Sequence, residues 1–217
     1  AARGTPPPED TFIALADVFE RHDLPVQPFR DLLAAFRMDV TRERYAGFED
    51  LLGYCRYSAN PVGRLMLALF DASDADNRVL SDRICTALQL LNFLQDIESD
   101  YRDRGRIYLP QEDLHAEGVE EEELAEGCRG NGVRAVVREQ VERTRRLLDE
   151  GAPLIGRVPR RLGLQLAATV EAATLLLQRL EGAPEPVRLQ GRDIPLLLGR
   201  TLRRFSRSRP PSDSPRK

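Results

Sequence analysis

The stretch Ile84 to Asp103, ICTALQLLNFLQDIESDYRD, constrains this chain more than any other. Read as one helix at 3.6 residues per turn, it places Gln89, Asn92, Asp96 and Asp100 within an arc of about 80°. The rest of the wheel from Thr86 to Ile97 is almost wholly apolar: Ala87, Leu88, Leu90, Leu91, Phe93, Leu94 and Ile97. A helix apolar nearly all round is buried, so the polar stripe is expected to face an interior space. Carboxylates do not sit unpaired inside a protein, so a positive partner is expected there too.

Asn92, Asp96 and Asp100 recur every four residues, and their oxygens climb one face at roughly 6 Å intervals. Two carboxylates and an amide are hard oxygen donors. Mg²⁺ takes one or two carboxylates, keeps waters and completes its shell from substrate phosphates. One reading is therefore a Mg²⁺–diphosphate site. The other is a polar helix face with two ordinary acids, and spacing alone leaves both open.

The 217 residues make one helical domain with flanking segments, large enough for a substantial core. The formal charge of −3 gives no general attraction to nucleic acid. That charge is uneven: Arg200 to Lys217 holds six arginines and one lysine against one aspartate. Three cysteines, Cys55, Cys85 and Cys128, form no C-x-x-C pair, which suits a reducing cytoplasm and argues against a disulfide framework or a zinc site. Cys55 and Cys85 lie in apolar helical stretches and read as small core residues. No apolar run approaches a membrane span, and no G-x-G-x-x-G or P-loop points to a nucleotide.

Along the chain, residues 1–9 are Pro-rich and expected to be unstructured. Asp10 is placed as the cap of a helix through about Arg21, ended by Leu24-Pro25. A second helix starts at Pro28, followed by a loop MDVTRERY. A third runs from about Phe48 and breaks at Asn60-Pro61 before resuming to Phe70. Tyr54, Ser58 and Val62 share a face across that break, and the small Ala59 and Gly63 let a helix or a ligand come close. DASDADN (71–77) reads as a solvated turn, with helix resuming at Val79 and Gly105 stopping it. Arg106 could pair a diphosphate bidentately or neutralise Asp103 or a helix terminus, and Tyr108 could cover the site. Glu120–Glu123 reads as a solvated acidic run. Helices over about 132–151, 158–180 and 194–205 follow, then an Arg-rich tail, 206–217, disordered by composition. His22 and His115 read as surface residues.

LQLLNFLQDIESDYRDRGRIYLP resembles the second acidic motif of the squalene and phytoene synthase family, and YCRYSANPVGRLML (54–67) resembles the same family. The resemblance spans most of Thr11 to Leu180 and is strongest to the bacterial branch acting on presqualene diphosphate to give hydroxysqualene. It implies an all-α isoprenoid synthase bundle around an apolar tunnel, with Mg²⁺ as cofactor and an isoprenoid diphosphate as substrate. Asn92, Asp96 and Asp100 match the metal motif, Gln89 a polar neighbour, and Tyr54, Ser58 and Val62 tunnel positions. The family's first D-x-x-x-D motif is absent, and Asp10, Asp17, Asp23, Asp31 and Asp39 offer no substitute pair. The expectation is therefore a partial bundle lacking N-terminal helices, residues 10–205 forming the C-terminal two-thirds of the domain, with little or no activity alone. Phytoene-type condensation, a non-catalytic helical module that binds a lipid or a squalene-pathway enzyme, and an adaptor held to the inner membrane face by its Arg-rich end stay open.

Overall fold

The computed structural model describes residues 9–126, 129–182 and 187–208, and every regular element among them is helical. Eleven α-helices follow in order: α1 Glu9–His22, α2 Gln27–Thr41, α3 Phe48–Ser58, α4 Asn60–Leu69, α5 Ala75–Gln95, α6 Ile97–Arg104, α7 Gln111–Ala116, α8 Asn131–Gly151, α9 Leu154–Arg157, α10 Arg160–Gly182 and α11 Ile194–Ser208. Short 3₁₀ turns cover Glu121–Glu126 and Gly191–Asp193.

α5 is the axis of the bundle. Ile84, Ala87, Leu90, Leu91, Phe93 and Leu94 are all buried, as its apolar wheel requires. α8 lies along it on one side and α4 on another. At the α5–α8 seam Gly151 makes the close approach possible: a Cβ there would stand 2.6 Å from Ile84 Cγ1 and 2.8 Å from the Leu80 carbonyl oxygen. α10 and α11 pair on the outside. The break after α3 falls where Pro61 demands it, with Ala59 at φ −116° closing one helix and opening the next. Gly63 packs against Ser81 and Cys85 of α5, so its small size serves helix packing rather than a ligand. Cys55 is fully buried and Cys85 half-buried; burial raises their thiols to about 12 and about 11. Cys128 lies outside the described residues.

Several expectations need correcting. The acidic stretch is two helices rather than one: Asp96 sits at φ −110°, ψ 14°, between α5 and α6. The ladder nearly survives the bend, because Asp96 N–H donates to Asn92 O at 3.0 Å and Asp100 N–H to Asp96 O at 2.8 Å. The acids of DASDADN are solvated and the chain turns at Asp71, as expected, but helix already begins at Ala75 within it. Asp74 caps α5 by accepting from Asn77 N–H at 2.8 Å, and Asn77 is buried against Ala72 O and the Arg157 guanidinium. α5 thus starts four residues before Val79. MDVT belongs to α2, α1 starts at Glu9 with Asp10 already inside it, and α11 carries the helix through 206–208. The remainder of both expected disordered ends, 1–8 and 209–217, lies outside the described residues.

Glu121, in the supposedly solvated run, accepts two bonds of 2.8 Å from Arg44, whose Nη1 also donates to the Gly105 carbonyl. The Arg44 charge holds that carboxyl below its ordinary range. Beside this node the chain after α6 runs along the loop after α2, with Ile107 N–H donating to Glu43 O and Gln111 N–H to Tyr45 O, both at 2.9 Å. Gly105, at φ +64°, makes the turn into that segment, where a left-handed residue is required. His22 and His115 are both exposed, as expected of surface residues.

Candidate functional site

The α5–α6 junction and the segment Arg106–Tyr108 meet at one edge of the bundle. Asn92 and Asp96 are exposed, and Asp100 is largely enclosed, its side chain 13% exposed. The stripe therefore faces outward here rather than into an interior space: α4 and α8 cover the apolar sides of α5 and leave this side open. Asp96 makes no side-chain bond among the described residues, and Asp100 has only a long contact of 3.3 Å with Arg104. Burial and the neighbouring Asp96 charge both raise the Asp100 carboxyl, against the pull of Arg104 and Arg106. One unpaired carboxylate, a second held only by a long ion pair, and an adjacent amide are donors of the kind a hard divalent cation takes alongside water and phosphate. Among the described residues no group of three or more acidic, His or Cys side chains could hold a metal by itself.

Arg106 and Tyr108 stand beside that acidic pair. Arg106 Nη2 donates to the Asp39 carbonyl at 2.6 Å, in the last turn of α2, where a cation meets the negative end of the helix. That is the helix-terminus role, on α2 rather than on the helix preceding it in sequence. Its other nitrogen lies 3.4 Å from the Tyr108 hydroxyl, leaving donor capacity free for an anion. Tyr108 stacks on Phe93, with Tyr45 and Tyr54 rings within 6.0 Å, so four aromatic rings line the edge. Burial and the Asp39 carboxylate push the Tyr54 phenol far above its usual range.

Tyr54 is buried, and its hydroxyl donates to Asp39 Oδ1 at 2.7 Å. Ser58 Oγ is buried with no hydrogen-bond partner among the described residues, Gln89 is half-buried, and Val62 is 51% exposed. Tyr54 is thus brought to the Arg106–Tyr108 edge by direct contact, whereas Ser58 and Val62 make no side-chain hydrogen bond to it among the described residues. Sequence reasoning missed two residues. Asp39 was set aside for want of a carboxylate four residues away, yet it orients Tyr54 and accepts Arg106. Arg188 lines a cleft of about 220 Å³ with Gln95 and Asp96, where Gln95 Nε2 donates to the Val187 carbonyl. Nothing local marks Arg188, which is 92 positions from Asp96 in sequence.

The all-α bundle is that of isoprenoid synthases. The squalene synthase HpnC from Alicyclobacillus acidocaldarius superposes with a TM-score of 0.77 at 38% identity, over 81% of this chain and 67% of that one. A dehydrosqualene synthase at 24% identity shares the fold, with a TM-score of 0.77 over 92% of this chain and 72% of that one. The squalene/phytoene synthase family model matches residues 1–200. The hydroxysqualene synthase of Rhodopseudomonas palustris is 36% identical over 180 residues, 82% of this chain and 61% of that protein. Phytoene synthase 1 of Arabidopsis thaliana is 35% identical over 144 residues, 63% of this chain and 34% of that protein. The chain belongs to the squalene/phytoene synthase family. It spans about three-fifths of the length of the hydroxysqualene synthase it matches.

Proposed function

We propose that this chain carries one wall of a Mg²⁺-dependent isoprenoid diphosphate site, and that the reaction served is conversion of presqualene diphosphate to hydroxysqualene in squalene and hopanoid synthesis. The observation that carries the reading is Asp96, without a side-chain bond among the described residues, next to Asp100, held only by a 3.3 Å pair with Arg104, and beside Arg106 and Arg188. Asn92, Asp96 and Asp100 would hold the metal, and Arg106 and Arg188 would face the diphosphate. Bound there, Mg²⁺ supplies neutralisation of the departing diphosphate charge. The C–O bond breaks with its electron pair leaving on the diphosphate; the cyclopropylcarbinyl cation rearranges with cleavage of a ring C–C bond, and water adds to the opened carbocation and loses a proton. Of the four rings Tyr108 alone is part-exposed and would turn a π face to a passing cation, backed by the buried Phe93, Tyr45 and Tyr54, the last fixed by its hydrogen bond to Asp39. Gln89, Ser58 and Val62 are assigned to the substrate wall.

Turnover needs the opposing acidic wall, so the reading concerns binding by this chain and catalysis by an assembly that includes both walls. The match to phytoene synthase 1 favours a second reading, head-to-head condensation of two prenyl diphosphates at the same wall. Calorimetry with farnesyl diphosphate, with and without Mg²⁺, tests the site directly. Wild-type binding is expected to require Mg²⁺ and to weaken by about tenfold or more in Asp96→Asn/Asp100→Asn. Mg²⁺-dependent binding that survives the double substitution would sink the assignment, and no binding by either protein would favour a non-catalytic helical module.

A further inference from the structure

We propose that the α10–α11 face docks on an anionic lipid surface. α11 rests on the bundle through Thr201, which is buried, and through an Arg204–Glu171 ion pair to α10. That contact fixes which side of α11 stays open. Ile194, Leu198 and Leu202 recur every four residues, lie within an arc of about 80°, and are 57%, 59% and 59% exposed. They border an apolar groove of about 580 Å³ whose opposite wall is Leu164, Ala168 and Ala172 of α10.

Charge says what covers this face. Residues 188–208 carry six arginines and one acid in a chain whose formal charge is −3. The single acid, Asp193, is already bound by Arg179. Arg203 and Arg207 are exposed, have no partner among the described residues, and follow Leu202 around the helix. Arg161 forms the far lip of the groove. An apolar strip between cationic lips matches an interfacial helix on an anionic bilayer. A second copy packed on the same face would bring Arg203 and Arg207 of both chains together with no free acid to receive them. No helix among the described residues is long and apolar enough to cross a membrane, so the contact lies on the surface.

Co-sedimentation of the whole chain with phosphatidylcholine vesicles, and with phosphatidylcholine–phosphatidylglycerol vesicles, tests the proposal. Binding is expected only to the mixed vesicles and should fall as salt rises. Leu198→Glu/Leu202→Glu should lower it by about tenfold or more; both positions are exposed, and circular dichroism checks the fold. Arg203→Ala/Arg207→Ala should lower it about fivefold per arginine. The 209–217 segment is the same in every variant, so any difference reads the face. Absence of binding to the mixed vesicles overturns the proposal, as does binding that neither double substitution changes. A dimer that Leu198→Glu/Leu202→Glu dissolves, with no vesicle binding, assigns the face to a second copy instead.

Discussion

The rings of Phe93 and Tyr108 stack 3.9 Å apart, centroid to centroid, and within 2° of parallel. Phe93 is the residue after Asn92 on α5, and Tyr108 lies two residues past Arg106. The stack therefore fixes the Arg106–Tyr108 segment against the acidic helix. Tyr108→Ala should cost about 2–3 kcal/mol in urea unfolding, most of it ring contact. Tyr108→Phe should cost less than about 1 kcal/mol, because the hydroxyl has only the 3.4 Å contact with Arg106 to lose. Equal losses in the two variants would make the hydroxyl, rather than the ring, the anchor.

Tyr54 and Asp39 form the second tie at this edge. A phenol donating to a carboxylate is a charge-assisted bond, and removing it leaves a part-buried carboxylate short of a partner. A double-mutant cycle with Tyr54→Phe and Asp39→Ala should show a coupling of about 1–2 kcal/mol. Strict additivity in chemical denaturation followed by circular dichroism would show the two residues to be energetically independent.

Two glycines in helices should respond oppositely to alanine. At Gly53, in α3, a Cβ meets nothing within 4 Å, so Gly53→Ala should stabilise by up to about 1 kcal/mol through helix propensity. At Gly151 the Cβ would press on Ile84 and on the Leu80 backbone carbonyl. Backbone cannot swing aside as a side-chain tip can, so Gly151→Ala should lose about 1–3 kcal/mol. Thermal melts of both variants check the difference in sign.

Asp193 gives a pH signature. The Arg179 guanidinium, followed by the Gln190 backbone N–H, holds its carboxyl down at about 2. A carboxyl depressed in the folded state contributes stability above its unfolded value of about 4. That contribution drains away as pH falls from there through about 2. The melting-temperature gap between wild type and Asp193→Asn should thus be full at neutral pH and close across that acid window. A gap still open at the acid end would make the loss geometric rather than electrostatic.

The helical class, the break at Pro61 and the stop at Gly105 were legible because each is written in a few neighbouring residues. The burial of Ala87, Leu90, Leu91, Phe93 and Leu94 followed from their wheel. The bend at Asp96 was not legible: the i, i+4 pattern of Asn92, Asp96 and Asp100 reads the same in a straight helix and in one interrupted for a single residue. The outward face of that stripe was also out of reach, since neighbouring helices decide which side of a wheel is covered. Asp39, Arg44 and Arg188 had no local mark, their partners lying tens of residues away. In DASDADN the solvated acids were legible, but not the helix start at Ala75 or the burial of Asn77, which depend on Asp74 capping α5 and on Arg157 reaching across from 80 positions away.

Arg44 joins the loop after α2 to Gly105 and to Glu121, across 61 and 77 positions of sequence. Helices gain their bonds from residues four apart, while a bond of this span must wait until long loops have closed. The bonds that set the edge bearing Arg106 and Tyr108 are therefore expected to form later than the local turns of the helices around it. Loss of Arg44 would be felt first in how slowly that edge matures during refolding, before it is felt in the helices themselves.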